Sequence, residues 1–522
     1  MVFSEGKAIP PLQRMEHNLW TRDRLHEFCE TRLSGCKFIV VSNREPYIHQ
    51  RGPDGIECIT PASGMATALH PVMVATGGTW IAHGSGNADR DVVDAMDRVP
   101  VPPDQPAYTL RRVWLTPELE QGFYYGLSNE GLWPLCHITF NRPVFRPEDW
   151  AHYRQANEIF ADAVIEEAGT EPTIVFIQDY HFALLPRILK QRGKGNLVIA
   201  QFWHVPWPNK EVFRAFPWGE ELLDGMLGND VLGFHIRLHC QNFRDTVDRV
   251  IEARVNPDLS LITRGGSDTL VRPFPISIDF AGHEAASQSP EVDRAMTLWA
   301  QRLNLRGRKL GVGIERLDYT KGIPSRLQAI DYFLTHHPEW RGRVVFVQIA
   351  APSRSSLVSY QMEEAEVDAL AAGINARWST PEGPVLFLFK QHHGPVDMMA
   401  LHRLCAVFMV NALHDGMNLV AKEFAASRAD ERGVLLLSRF TGAWRELNEA
   451  VSFNPFAVHE IGEALLTALD MDEAEQGRRM SRMREHIRFN NVYRWAGKIL
   501  SILLKFDIPE FQSDGLESSS LD

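Results

Sequence analysis

Short, unbroken apolar runs recur along the chain between longer stretches of helical period. Phe38–Ser42, Thr173–Gln178, Leu197–Phe202 and Val231–His235 are such runs, and Trp150–Glu167 repeats its apolar positions every three to four residues. Parallel strands covered by helices on both faces lose the polar alternation of a half-exposed sheet, so this rhythm predicts parallel sheets with crossover helices. After the Pro-rich segment Val271–Ile278 the rhythm restarts, with strands expected near Leu310–Ile314, Val344–Ile349, Val385–Phe389, Ala406–Val410 and Val434–Leu437. The expected fold is α/β, with two doubly wound parallel-sheet domains facing each other across a cleft. Ligands of such sheets bind beyond the carboxyl ends of the strands.

Length supports the division, because 522 residues exceed the roughly 250–300 at which a single core stops growing. The expected boundaries are an N-terminal extension over 1–36, a first domain over 37–278, a second over 279–488, a helix over 489–510 packing back on the first domain, and a frayed tail over 511–522. Lys and Arg number 54 against 66 Asp and Glu, a net charge of −12, which argues against nucleic acid or an anionic membrane as the partner. Any bound anion must therefore meet local cations. The six cysteines are scattered without a metal-ligand spacing, no apolar run approaches the ~18 residues of a membrane span, and the first residues lack a signal peptide's apolar stretch. A cytoplasmic enzyme without metal or cofactor is the expectation.

Candidate chemistry gathers at the strand ends. Glu315–Gly322 places Arg316 and Lys321 in one strand-to-helix turn, two fixed cations suited to a departing diphosphate. A surface ion pair with Asp318 is the plain alternative. In His414–Glu423, the Asp415-Gly416 turn precedes a helix expected from Met417, whose free amides near Asn418 and Leu419 can cap an anion while Glu423 faces a ribose. Asp179 and His204 close two buried strands and point into the cleft, although a strand-end histidine is often purely structural. Arg44 closes the first strand, and Gly64 offers a turn before a helix. The aromatic-rich stretch Phe123–Pro134, containing Tyr124 and Trp133, reads as a loop. Arg354 ends a strand in a Ser-rich turn with a fork suited to a phosphomonoester. Asp470 and Asp472 superficially resemble the acid pair of a phosphatase but sit in a polar helical segment and are assigned to helix surface.

These segments occur together and in order, and the chain from about Lys37 to Phe506 resembles the trehalose-6-phosphate synthases, retaining glycosyltransferases with two Rossmann-like domains of GT-B type. The resemblance implies transfer of glucose from a nucleoside diphosphate glucose, UDP-glucose first among them, to glucose 6-phosphate in trehalose biosynthesis and osmoprotection. Arg44, Tyr124, Trp133, Asp179 and Arg354 would then hold the acceptor, with Asp179, Arg316 and Lys321 closest to the chemistry. Gly64, His204, Arg316, Lys321, Asp415, Gly416, Met417, Asn418, Leu419 and Glu423 would hold the donor. It further implies the absence of a protein nucleophile, activity that survives chelation, and a homo-oligomer as a common family state. His414 stands where the family commonly has Arg, and Ser63 where it often has Gly, which leaves the donor base open among UDP, GDP and ADP. A sister activity on glycerol 3-phosphate and a catalytically silent sugar-phosphate sensor are the rival readings.

Overall fold

The computed structural model describes residues 19–53, 55–61 and 64–506. Ser63, residues 1–18 of the extension, the end of the 489–510 segment and the tail over 511–522 lie outside the described residues.

Two sheets organise the chain. The first has ten strands; its parallel centre runs Ser267–Pro273, Val231–Phe234, Leu197–Phe202, Thr173–Gln178, Lys37–Arg44, Thr79–His83, Tyr108–Val113, with antiparallel strands added at both edges. The second has six strands, all parallel, in the order Leu386–Phe389, Val344–Ala351, Lys309–Arg316, Val407–Val410, Val434–Ser438, Val451–Phe453. Strand order reverses between Lys37–Arg44 and Thr173–Gln178 in the first sheet, and between Lys309–Arg316 and Val407–Val410 in the second. Beyond the carboxyl ends at such a reversal the connections diverge to opposite faces and leave a crevice. Arg44 and Asp179 sit at the first reversal, Arg316 and Asp415 at the second.

Several strands carried no readable apolar run. Tyr108–Val113 is one, because Arg111 and Arg112 interrupt it, yet both arginines are buried. The Arg112 guanidinium lies 2.8 Å from Glu45 and 2.9 Å from Asp89, all three fully enclosed. Buried charge needs such pairing, and a partner far along the chain leaves no trace in local pattern.

The segment over 1–36 is not simply a polar extension from residue 19 onward. Helix Arg22–Arg32 buries Leu25 and Cys29 against helices Gly64–Thr76 and Val492–Leu503. Leu25, Cys29 and Leu33 follow the i, i+4, i+8 spacing of one narrow helical face, and the surrounding charges hide that stripe from an averaged reading. Helix Val492–Leu503 follows the second sheet in sequence but packs on the first: the Trp495 ring lies 5.7 Å from Phe176 and 5.2 Å from Phe202, and its indole N–H donates to the Phe274 carbonyl at 3.2 Å. The Asp470 and Asp472 pair is a helix junction, Asp470 ending one helix and Asp472 capping the next through Glu475 N.

Candidate active site

On the second sheet, strand Lys309–Arg316 ends in a single tight turn over Tyr319–Lys321. Asp318 caps it, its Oδ1 accepting from Thr320 N at 3.0 Å and Thr320 Oγ1 at 2.9 Å. Gly322 then takes φ +63, and a Cβ there would stand 2.5 Å from the Asn411 carbonyl oxygen; only glycine lets the chain turn this close to the neighbouring strand end. Lys321 Nζ reaches Asp415 Oδ2 at 2.6 Å. Burial opposes ionisation of Asp415, but Lys321 outweighs it and holds the carboxyl at about 2. Arg316 forms no ion pair among the described residues. Its guanidinium lies 5.9 Å from the Trp133 ring centre, and burial together with the Arg354 charge lowers its pKa. The surface ion pair of Arg316 with Asp318 is thus absent, because Asp318 engages Arg354 instead.

The helix after the Asp415–Gly416 turn begins at Leu419 rather than Met417. Asn418 adopts φ 81 and caps it, accepting from Ala421 N at 3.2 Å. Met417 is 2% exposed and its side chain belongs to the core, so only its backbone can face a ligand. At Gly416 a Cβ would stand 2.2 Å from the His204 carbonyl oxygen, and at Gly64 it would stand 3.8 Å from the Leu419 side chain; at both points the Asp415–Leu419 turn meets the first half of the chain. Glu423 receives no side-chain hydrogen bond from the described residues, and burial raises its carboxyl to about 7. It stands apart from the others, ready for a hydroxyl donor. His414 Nδ1 donates to the His137 carbonyl across the cleft at 2.7 Å.

On the first sheet, Phe123–Pro134 is helical rather than a loop. Gln121–Leu132 is wound with a five-residue repeat, Ser128 Oγ donating to Phe123 O and Asn129 Nδ2 to Tyr124 O, both at 2.7 Å. Gly122 and Gly126 permit close packing here: a Cβ would collide with His152 at 2.1 Å and Asp149 at 2.4 Å on the adjacent helix. Such wide turns are common at functional sites, and this one sets Tyr124 and Trp133 on the cleft wall. Arg44 Nη2 donates to Tyr124 OH at 2.9 Å. Burial pushes the Tyr124 phenol up, but Arg44 and Arg354 overcompensate and bring it down to about 7.

Arg354 does not lie exposed on a turn as its setting suggested. Its side chain is 4% exposed, its backbone takes φ 48, and its guanidinium stacks 4.2 Å over Trp133. Arg354 and Arg316 thus both approach the same indole ring. Asp179, at φ 72, accepts from Tyr180 N at 3.0 Å and His204 N at 3.3 Å through Oδ1, while burial raises its carboxyl to about 7. His204 is kept neutral by burial, at about 3, and its Nε2 meets Gln178 Oε1 at 2.9 Å. Tyr180, Tyr360 and His137 also line this cluster and were not singled out, and Asp318 was considered only as a surface ion-pair partner. Asp318 lay inside a recognised motif, whereas Tyr360, on the helix after Arg354, carried no local signal.

Comparison with known proteins fits this geometry. The sequence profile of glycosyltransferase family 20 matches residues 36–505. The bifunctional trehalose-6-phosphate synthase/phosphatase of Thermoproteus tenax is 36% identical over 481 residues, 90% of this chain and 63% of that protein, so the chain spans under two thirds of that relative. The trehalose-6-phosphate synthase of Mycolicibacterium vanbaalenii is 35% identical, covering 91% of this chain and 97% of its own. Among solved structures, the UDP-forming alpha,alpha-trehalose-phosphate synthase of Burkholderia xenovorans in complex with glucose-6-phosphate superposes with a TM-score of 0.80 at 28% identity, covering 90% of this chain and 100% of its own. Two doubly wound sheets, cations at both strand-order reversals and a profile match along nearly the whole described chain identify one lineage: the chain belongs to glycosyltransferase family 20.

Proposed function

We propose that the chain transfers glucose, with retention, from UDP-glucose to the anomeric hydroxyl of glucose 6-phosphate, giving α,α-trehalose 6-phosphate and UDP. The observation that carries this reading is the meeting of two cation sets at the cleft, Arg44 of the first sheet with Arg354 of the second, and Arg316 with Lys321 on the second, with the guanidinia of Arg354 and Arg316 both over the Trp133 ring. One set suits a phosphomonoester, the other a diphosphate. Asp179 orients the acceptor sugar, Gly64, His204 and the Asp415–Leu419 turn surround the transferred glucose and diphosphate, and Glu423 accepts from the ribose. The division at 278/279, with the helix after 488 returning to the first half, is part of the same reading; the packing of Trp495 supports it.

The bond from glucose C1 to the donor phosphate breaks, the bond to the acceptor oxygen forms on the same face, and the acceptor proton passes to the departing phosphate oxygen. Retaining glycosidases use a carboxylate pair about 5–5.5 Å apart. Here Asp415 is held by Lys321 and Asp318 by Arg354, which leaves Asp179 after a strand of the first sheet and Glu423 on a helix of the second without an ion pair among the described residues, and supports a route without a protein nucleophile. No described helix is long and apolar enough to cross a membrane.

The test is nucleoside diphosphate release with UDP-, GDP- and ADP-glucose offered against glucose 6-phosphate and glycerol 3-phosphate, with product identification. UDP release dependent on glucose 6-phosphate is expected; preference for glycerol 3-phosphate would overturn the acceptor assignment, and silence with every pair would favour the sensor. Arg354→Ala should raise KM for glucose 6-phosphate far more than KM for the donor, and equal KM changes would remove Arg354 from the acceptor pocket.

A pH dependence follows from the Arg44–Tyr124 contact. Above pH 7 the Tyr124 phenol ionises, neutralises Arg44 and repels the phosphate dianion, so acceptor binding must take up a proton. By linkage, KM for glucose 6-phosphate rises with pH above 7, by up to about tenfold per unit. Tyr124→Phe should flatten that limb. A limb that persists in the phenylalanine variant would assign the ionisation elsewhere.

A further inference from the structure

Arg354 has three nitrogens and an unequal distribution of partners. Its Nη1 lies 2.5 Å from Tyr360 OH and 3.2 Å from Asp318 Oδ2, and Tyr360 OH itself donates to Asp318 Oδ2 at 3.2 Å. Its Nε has no partner among the described residues, and its Nη2 has only the Tyr180 hydroxyl at 3.4 Å. A guanidinium presents Nε and Nη2 along one edge, the edge that chelates two oxygens of a phosphate. The closest polar contacts of Arg354 are therefore at the opposite corner.

We infer that Tyr360 and Asp318 are positioning residues that pin one corner of the Arg354 guanidinium so that its Nε–Nη2 edge, whose Nε is buried and unpaired among the described residues, is kept for the acceptor phosphate, and that Asp318 ties this grip to the turn presenting Lys321. The inference rests on the acceptor reading above. Asp318 is fully buried and Tyr360 is 1% exposed, so neither touches substrate; each acts through Arg354. Burial favours protonation of Asp318, but the Arg354 and Arg316 charges reverse this and keep it ionised. Its two oxygens have separate duties. Oδ2 serves the acceptor-side arginine, and Oδ1 takes the amide and hydroxyl of Thr320, the residue before Lys321. The remaining constraints on Arg354 are the Trp133 face below it and its own left-handed backbone, which place the base of the side chain but leave rotation of the fork free. The Nη1 corner, with two partners, fixes that rotation more firmly than the single 3.4 Å contact of Nη2 with Tyr180.

The two positions should then fail differently. Tyr360→Phe keeps the ring that packs 5.3 Å from Tyr319 and removes only the hydroxyl. It should raise KM for glucose 6-phosphate and the inhibition constant of inorganic phosphate together by about tenfold, as expected for losing one hydrogen bond to a charged group, with KM for UDP-glucose unchanged. Asp318→Asn should raise both KM values, since both oxygens lose their charge. In an Arg354→Ala background, Tyr360→Phe should add nothing further.

Kinetic constants for these variants, with the two-residue cycle, decide the matter. Equal changes in both KM values for Tyr360→Phe, or an additive effect in the Arg354→Ala background, would overturn the positioning role and leave the acceptor reading intact. A wild-type enzyme that uses unphosphorylated glucose as well as glucose 6-phosphate and ignores inorganic phosphate would overturn the acceptor reading itself, and the positioning role with it.

Discussion

Arg316→Ala should lower kcat by about 100- to 1,000-fold, the scale on which a single preorganised charge at a developing anion contributes, while KM for glucose 6-phosphate changes little. Charge on the diphosphate grows as the glycosidic bond breaks, so a cation held at the leaving group is worth more in the transition state than in the ground state. Arg316 is prepared for this. No carboxylate of the described residues forms an ion pair with it, it lies 5.9 Å from the Trp133 ring centre, and burial and the nearby Arg354 charge both disfavour its ionised form. That unrelieved repulsion makes a second expectation available from the same variant: thermal stability should hold or rise, as at other sites that trade stability for activity. Lys321 differs, since removing it strands the Asp415 carboxylate and must destabilise the fold as well. Steady-state kinetics with a melting curve would read both. Wild-type kcat in Arg316→Ala would remove the residue from the leaving-group site.

Gly416→Ala should cost on the order of 100-fold in kcat/KM, the effect of a displacement of about 1 Å at a reacting centre. The added methyl would stand 2.2 Å from the His204 carbonyl oxygen and 2.9 Å from His235 Cδ2. The obstruction is backbone on the opposite wall of the cleft, which has no rotamer to escape into. Either the donor turn retreats or the two halves part, and in both cases Asp415 and Lys321 move away from His204 and Asp179. Because the clash lies at the seam and not inside either sheet, circular dichroism and each half's core should be unaffected. Near-wild-type activity would mean that the two halves are further apart in the working enzyme than in this structure.

Much of the architecture was legible in the chain. The strands Lys37–Arg44, Thr173–Gln178, Leu197–Phe202 and Lys309–Arg316 are apolar on both faces, and burial on both faces is recorded locally as an unbroken apolar run. Arg316, Lys321, Asp415 and Gly416 were equally visible, because each lies within a few residues of a strand end, and strand-end turns are where doubly wound sheets bind ligands. Local reading failed where two signals compete. Glycines in Gln121–Leu132 mark close packing against another helix and resemble loop glycines, and the narrow stripe of Leu25, Cys29 and Leu33 vanishes in an average over its charged neighbours.

The sequence by itself determined the kind of fold and the identity of its charged turns, since strand burial, turn chemistry and helix caps are set by residues within a few positions of one another. Tertiary structure decided which charges are spent and which remain available. Lys321 is matched to Asp415, 94 residues on; Arg44 to Tyr124, 80 residues on; Arg354 approaches Tyr180 from 174 residues away. Partnerships of this reach depend on how two sheets meet, not on spacing along the chain. Among the described residues they leave Arg316 and one edge of Arg354 without a carboxylate, and in a low-dielectric cleft an unpaired cation has its strongest pull on an incoming anion.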